Sequence, residues 1–114
     1  MRGLRALKRS RETDQFELIS DFFTIFTNPK RIQILQLLKE GELTVSEITE
    51  RTGLSQPTVS QHLKILRDKH IVTVKRWGNK CYYTVEDGRI YQVCDLIKGI
   101  IFKRIEEIRK GIAR

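Results

Sequence analysis

Residues 44–67 read Thr44-Val45-Ser46-Glu47-Ile48-Thr49-Glu50-Arg51-Thr52-Gly53-Leu54-Ser55-Gln56-Pro57-Thr58-Val59-Ser60-Gln61-His62-Leu63-Lys64-Ile65-Leu66-Arg67, and the fold turns on them. Thr44-Val45-Ser46-Glu47 fits a capping box, in which a threonine and a glutamate three residues later satisfy each other's backbone donors. It opens a short helix to about Thr52. Gly53 stops that helix, because glycine tolerates the left-handed backbone found there, and Leu54 follows as an apolar plug. Ser55 caps the next helix, with Pro57 in its first turn, and this helix runs to about Asp68. Two helices joined by so tight a turn form a helix-turn-helix, whose second helix is built to lie in a major groove.

The second helix carries two kinds of surface. Val59, Leu63 and Leu66 recur at i, i+4 and i+7 and belong to the core. Gln56, Thr58, Ser60, Gln61 and Lys64 face the other way, as short polar groups and one base. Short side chains at a helix N-terminus let the backbone approach phosphates, which the helix dipole favours. Glutamine pairs with adenine edges, and serine or threonine serves several bases. Lys64 and Lys69 are expected on phosphates. His62 lies at the flank of the core stripe, where packing and phosphate contact are equally open, and His70 marks the helix end.

Downstream the pattern becomes strand-like. Ile71 to Arg76 and Cys81 to Val85 are rich in β-branched and aromatic residues around Gly78-Asn79, a two-residue hairpin signal of type II′ or I′. That turn pairs Arg76 with Cys81, Val74 with Tyr83 and Val72 with Val85. Val72, Val74, Tyr83 and Val85 then face the core, with Thr73, Lys75, Tyr82 and Thr84 outside. Cys81 has core-facing parity and reads as a small buried hydrophobe. Arg76 and Lys80 sit at the tip, suited to a minor groove or a phosphate backbone. Trp77 either makes such a contact or folds onto the neighbouring helix. Beyond the hairpin, Ile90, Val93, Ile97, Ile101, Ile105, Ile108 and Ile112 recur every three or four residues along a terminal helix of about 88–113.

Upstream, Phe16, Ile19, Phe22, Phe23 and Phe26 form one stripe of an amphipathic helix over 13–27. Asn28-Pro29 then caps and starts a mostly buried helix bearing Ile32, Ile34, Leu35, Leu37 and Leu38, which Gly41 ends. The chain of 114 residues carries a formal net charge of +8, and that charge is unevenly placed. Residues 1–11 contribute +5, residues 12–54 contribute −4, residues 55–80 contribute +5 and residues 81–114 contribute +2. Positive charge thus gathers in an N-terminal arm (1–11) and in the second helix plus hairpin, the distribution expected of a polyanion binder. The remainder, 12–114, reads as one domain.

Leu54-Ser55-Gln56-Pro57-Thr58-Val59-Ser60-Gln61-His62-Leu63-Lys64-Ile65-Leu66-Arg67 resembles the recognition-helix signature of the ArsR/SmtB family of winged helix-turn-helix regulators. Asn28-Pro29-Lys30-Arg31-Ile32 and the later hairpin match in order and spacing, so the resemblance covers about residues 15–112. It implies a mainly α fold with a small β-hairpin wing, a homodimer built from the first and last helices, and repression of transcription. It places DNA contacts at Ser55, Gln56, Thr58, Ser60, Gln61, His62 and Lys64.

The family's sensing chemistry does not carry over. Residues 43–52, which match the position of a Cys-x-Cys metal cluster, hold no cysteine, and residues 88–114 hold no histidine. Two histidines and two cysteines, widely scattered, do not make a zinc site, so no metal and no cofactor is expected. No nucleophile–base pair or phosphate-cradling glycine loop points to catalysis. Cys94, on the terminal helix, is a candidate redox site, which leaves a redox-gated regulator as one alternative. A winged-helix module that holds protein partners is another. The expected partners are double-stranded DNA and a second copy of the chain. With no apolar run near the ~18 residues of a membrane span, a cytoplasmic location is expected.

Overall fold

A computed structural model describes residues 14–111; the basic arm 1–11 and Ile112 lie outside them. Helix α1 occupies 14–23 and tightens into a 3-10 turn over Thr24–Thr27. It is followed by α2 (Pro29–Leu38), α3 (Val45–Thr52), α4 (Gln56–Asp68), the hairpin strands β1 (Val72–Trp77) and β2 (Lys80–Val85), and α5 (Arg89–Arg109).

The first helix departs from the continuous helix expected over 13–27, and its own hydroxyls give the reason. Thr24 Oγ1 donates to the Asp21 carbonyl at 2.6 Å and Thr27 Oγ1 to the Thr24 carbonyl at 2.6 Å, both three residues back. The Arg31 guanidinium draws on the Thr24 carbonyl at 2.8 Å and the Ile25 carbonyl at 3.3 Å. Carbonyls claimed in this way favour the tighter turn over another α-helical one.

The remaining helix boundaries follow local chemistry. Asn28 accepts from the Lys30 N–H at 2.8 Å, with Pro29 at the first helical position of α2. The capping box of α3 is complete: Thr44 Oγ1 accepts from Glu47 N–H, and Glu47 Oε1 accepts from Thr44 N–H, both at 3.2 Å. The Thr44 N–H, joined by Thr44 Oγ1 donating to the same oxygen at 3.1 Å, holds the Glu47 carboxyl below its ordinary value. Gly53 ends α3 at φ 72°, in the left-handed region, and donates to the Thr49 carbonyl at 2.9 Å. Helix α4 ends in a Schellman turn: His70 donates to Arg67 O and Ile71 to Leu66 O, both at 2.9 Å. His70 takes the left-handed position at φ 59°, so it marks the helix end through its backbone.

The hairpin register is the expected one, with Val72 opposite Val85, Val74 opposite Tyr83 and Arg76 opposite Cys81. Among the turn residues only Gly78 has positive φ (64°), which selects the II′ form. Leu43 pairs with Tyr83 through reciprocal backbone bonds of 3.1 and 2.8 Å, tying the wing's base to the α2–α3 connection. Ile25, Ile34, Leu35, Ile48, Val59, Leu63, Leu66 and Val72 form the fully buried centre. The wing leaves that centre as it extends: the base of β1 is buried and its last three residues are exposed. Cys81 is exposed, contrary to its parity, because the core does not reach that far along the hairpin.

Helix α5 joins the core mainly through its first two turns. Ile90 and Cys94 are buried, and the Tyr91 hydroxyl donates to the Leu35 carbonyl at 2.7 Å. Beyond them Ile101, Ile105 and Ile108 continue the same stripe into solvent, as do Phe16, Ile19 and Phe23 on α1. No helix among the described residues is long and apolar enough to cross a membrane.

Candidate nucleic-acid interface

Helix α4 is held from one side and open on the other. Val59, Leu63 and Leu66 are at most 1% exposed, so the helix cannot rotate without opening the core. Its opposite face presents Gln56, Ser60, Gln61 and Lys64, all exposed. Ser55 and Thr58 sit at the start of this face but are committed to each other. Ser55 Oγ accepts from Thr58 N–H at 3.3 Å and donates to Thr58 Oγ1 at 2.8 Å. Their hydroxyls therefore shape the helix N-terminus, where Pro57 has no N–H to offer and the Thr58 and Val59 N–H groups are taken by Ser55.

His62 does not share that face. It is 7% exposed, and its Nδ1 lies 3.4 Å from Arg31 Nη1. A cationic donor on Nδ1 makes that nitrogen the acceptor, so the ring is neutral with its proton on Nε2. Burial lowers the imidazole pKa, and Arg31 and Lys30 lower it further. The two readings left open by the sequence thus divide in favour of packing. Lys69 also departs from its expected place on phosphates. Its ammonium meets Asp21 Oδ1 at 2.7 Å and its side chain is only 20% exposed, so it ties the end of α4 to α1.

Two residues gain a place that sequence reasoning missed. Arg67 is exposed one turn beyond Lys64, and Ser60, Lys64 and Arg67 line up at i, i+4 and i+7. Spacing alone could have found it. Arg31 joins the 3-10 turn, α2 and α4 through the Ile25, Thr24, Thr27 and His62 contacts. Its link to α4 is a contact 31 residues apart, which no local pattern reports.

The second part of the surface is the hairpin tip. Lys75, Arg76, Trp77 and Lys80 are all exposed, and residues 75–80 contain no acid. Together with Lys64 and Arg67 they give the molecule a basic helix face and a basic projecting loop, a pairing that suits two adjacent paths along a polyanion.

Cys94 is 5% exposed, and burial pushes its thiol up, opposed in part by Lys98 and Lys39. Thiolates are the reactive form, so this setting favours packing over redox chemistry. Among the described residues no three of His, Cys, Asp and Glu gather closely enough to hold a metal ion.

Comparison with known proteins places these features in a family. Residues 28–74 match the arsR family of bacterial regulatory proteins. A probable mercury resistance operon repressor of Streptomyces lividans is 42% identical over 69 residues, covering 60% of this chain and 55% of that protein. An uncharacterised HTH-type transcriptional regulator of Methanocaldococcus jannaschii is 33% identical over 85 residues, covering 74% of this chain and 96% of that one. Among solved structures, the homodimeric winged helix-turn-helix DNA-binding domain of a Mycobacterium bovis protein, a possible ArsR-family transcriptional regulator, superposes with a TM-score of 0.75. It is 26% identical over 85% of this chain and 90% of that one. With a helix-turn-helix, a two-stranded wing, a family match over residues 28–74 and one relative, 33% identical, covered over 96% of its length, the chain belongs to the ArsR family of transcriptional regulators.

Proposed function

We propose that the protein is a homodimeric, cytoplasmic transcriptional repressor that binds double-stranded DNA at an inverted repeat. Gln56, Ser60 and Gln61 read base edges in the major groove, Ser55 and Thr58 preset the helix N-terminus against the backbone, and Lys64 sits on a phosphate. Arg76 and Lys80 hold the backbone beside the wing. The observation that carries this reading is the split of α4, with its apolar stripe sealed in the core and its polar face open. A helix so clamped presents the same side chains in the same register to every partner, which is what base readout requires. Repressors among the relatives and the homodimeric Mycobacterium bovis domain support the regulatory role and the dimer. Two copies of α4 then meet successive major grooves, so half-sites are expected about 34 Å apart.

Selection of bound fragments from random duplex DNA tests this directly. The intact chain is expected to recover an imperfect inverted repeat. Gln61→Ala is expected to lose about 1–3 kcal/mol of discrimination at one base position while retaining general affinity. Lys64→Ala is expected to weaken all sequences alike and reduce the salt slope by about two, one for each copy in the dimer. Unchanged selectivity in Gln61→Ala would remove that residue from the readout. Recovery of no preferred sequence would leave the protein-interaction alternative in its place.

A further inference from the structure

The large apolar side chains exposed on this molecule fall into two sets. Those on α1 and α5 lie on the two helices expected to meet a second copy of the chain. Trp77 belongs to neither helix. It ends β1 beside the Gly78-Asn79 turn and is 81% exposed, more than any other large hydrophobic residue among those described. The structure thereby decides one point that the sequence leaves open: Trp77 does not fold back onto a neighbouring helix.

Nothing in the fold requires a tryptophan there. Burial falls along β1 from Val72 outward, and Lys80 and Cys81 opposite the tip are exposed as well. Exposed indole surface is unfavourable in water, so its presence at a projecting tip points to a surface that covers it. Its neighbours limit the chemistry of that surface. Lys75, Arg76 and Lys80 surround the turn without an acid in residues 75–80, which favours a polyanion. Phosphates are already well served by these three cations, and an indole offers them a single N–H donor. Its large flat apolar face is matched by base edges and opened base steps. A minor groove about 6 Å wide excludes a helix but admits a ring entering edge-on. The two-residue turn is the narrowest connection a hairpin makes, and Gly78 faces open space beyond.

We propose that Trp77 is a minor-groove wedge. Its indole enters the groove flanking each half-site and parts a deformable base step, while Arg76 and Lys80 hold the phosphates on either side. Pyrimidine–purine steps open at the least cost, so the wedge selects sequence at a position where no hydrogen bond reads a base. This rests on the reading of α4 and the hairpin as a DNA-binding surface, and it adds a second, deformability-based source of specificity to that surface.

Trp77 is the only tryptophan of the chain, so intrinsic fluorescence reports on it alone. The test uses the full chain and duplexes that keep the selected half-sites but carry TA, CA or AA at the flanking step. The expected result is quenched emission on binding and about tenfold preference for TA over AA. Trp77→Ala is expected to bind the three duplexes equally while still distinguishing correct from scrambled half-sites, and Trp77→Phe is expected to keep most of the preference. Unchanged emission in the complex overturns the wedge. So does a Trp77→Ala protein that weakens on every duplex alike, as a phosphate contact would, or that keeps the TA preference. These outcomes leave half-site selection intact. If the intact chain fails to distinguish correct from scrambled half-sites, the DNA reading itself falls, and the wedge with it.

Discussion

Helices α4 and α5 are both amphipathic, yet they dispose of their apolar stripes in opposite ways. Val59, Leu63 and Leu66 of α4 disappear into the core of their own chain and leave a polar face in solvent. Helix α5 buries Ile90 and Cys94, then runs on for fifteen residues, 95–109, with Ile101, Ile105 and Ile108 about half exposed or more. A polar face on a clamped helix presents fixed hydrogen-bonding groups and suits recognition of a polar surface. An apolar stripe outrunning its own core is covered most simply by an identical stripe, since a twofold axis makes the patch complementary to itself. The same periodicity thus serves a heterologous partner in one helix and a second copy in the other.

The sharpest way to break this contrast is to charge the α5 stripe. Ile101→Asp with Ile105→Asp is expected to leave a folded monomer, because neither side chain touches the described core. Linking two half-site contacts raises affinity by about 10²–10⁴, so operator binding is expected to fall by a comparable factor. Sedimentation and titration of the inverted repeat measure the two effects together. A double variant that remains dimeric would place the dimer contact elsewhere, on the Leu96–Ile100 side of α5 or on α1 alone.

Cutting the α4 stripe produces the complementary failure. Leu63 is 1% exposed, and Leu63→Ala is expected to cost about 2–5 kcal/mol of stability. Thermal or denaturant unfolding measures it, and the loss is expected to exceed any change in the affinity of the protein that remains folded. If affinity falls while the midpoint does not move, α4 is held by something other than its stripe.

These two helices also differ in how much of them the sequence declares. Cap residues, periodicity and the Gly53 turn define α4 to within one residue, and the hairpin register follows from Gly78-Asn79, because a two-residue turn admits a single pairing. What escapes is set by distance. Nothing near Lys69 announces Asp21 as its partner 48 residues away, so a lysine expected on phosphate becomes a tie between α4 and α1. Parity assigns Cys81 to the core face but cannot say where the core ends. The 3-10 turn over Thr24–Thr27 depends partly on Arg31, which reaches back from α2 to the Thr24 and Ile25 carbonyls and also meets His62 of α4, 31 residues away. Of the candidate DNA-facing residues, spacing separates Gln56, Ser60, Gln61 and Lys64 from the core correctly, and it fails at His62, whose position on the wheel borders both faces.

That border position yields the smallest expected effect and the one that joins the two helices. Arg31 gathers the carbonyls at the end of α1 and meets His62 of α4, so the neutral imidazole is part of the seam between the helix expected to dimerise and the helix expected to read DNA. Its pKa in the folded chain lies below the ordinary 6.5, chiefly through burial and then through Arg31 and Lys30. The unfolded chain therefore takes up the proton first as the pH falls. Stability from this group is whole above about 6.5 and declines as the pH falls below it toward the folded value. Melting temperatures between pH 7.5 and 5.5 are expected to fall more steeply for the native chain than for His62→Gln, which keeps an acceptor for Arg31 and cannot titrate. The difference is expected to be well under that of Leu63→Ala. Parallel slopes for the two proteins would mean that the seam does not sense this proton.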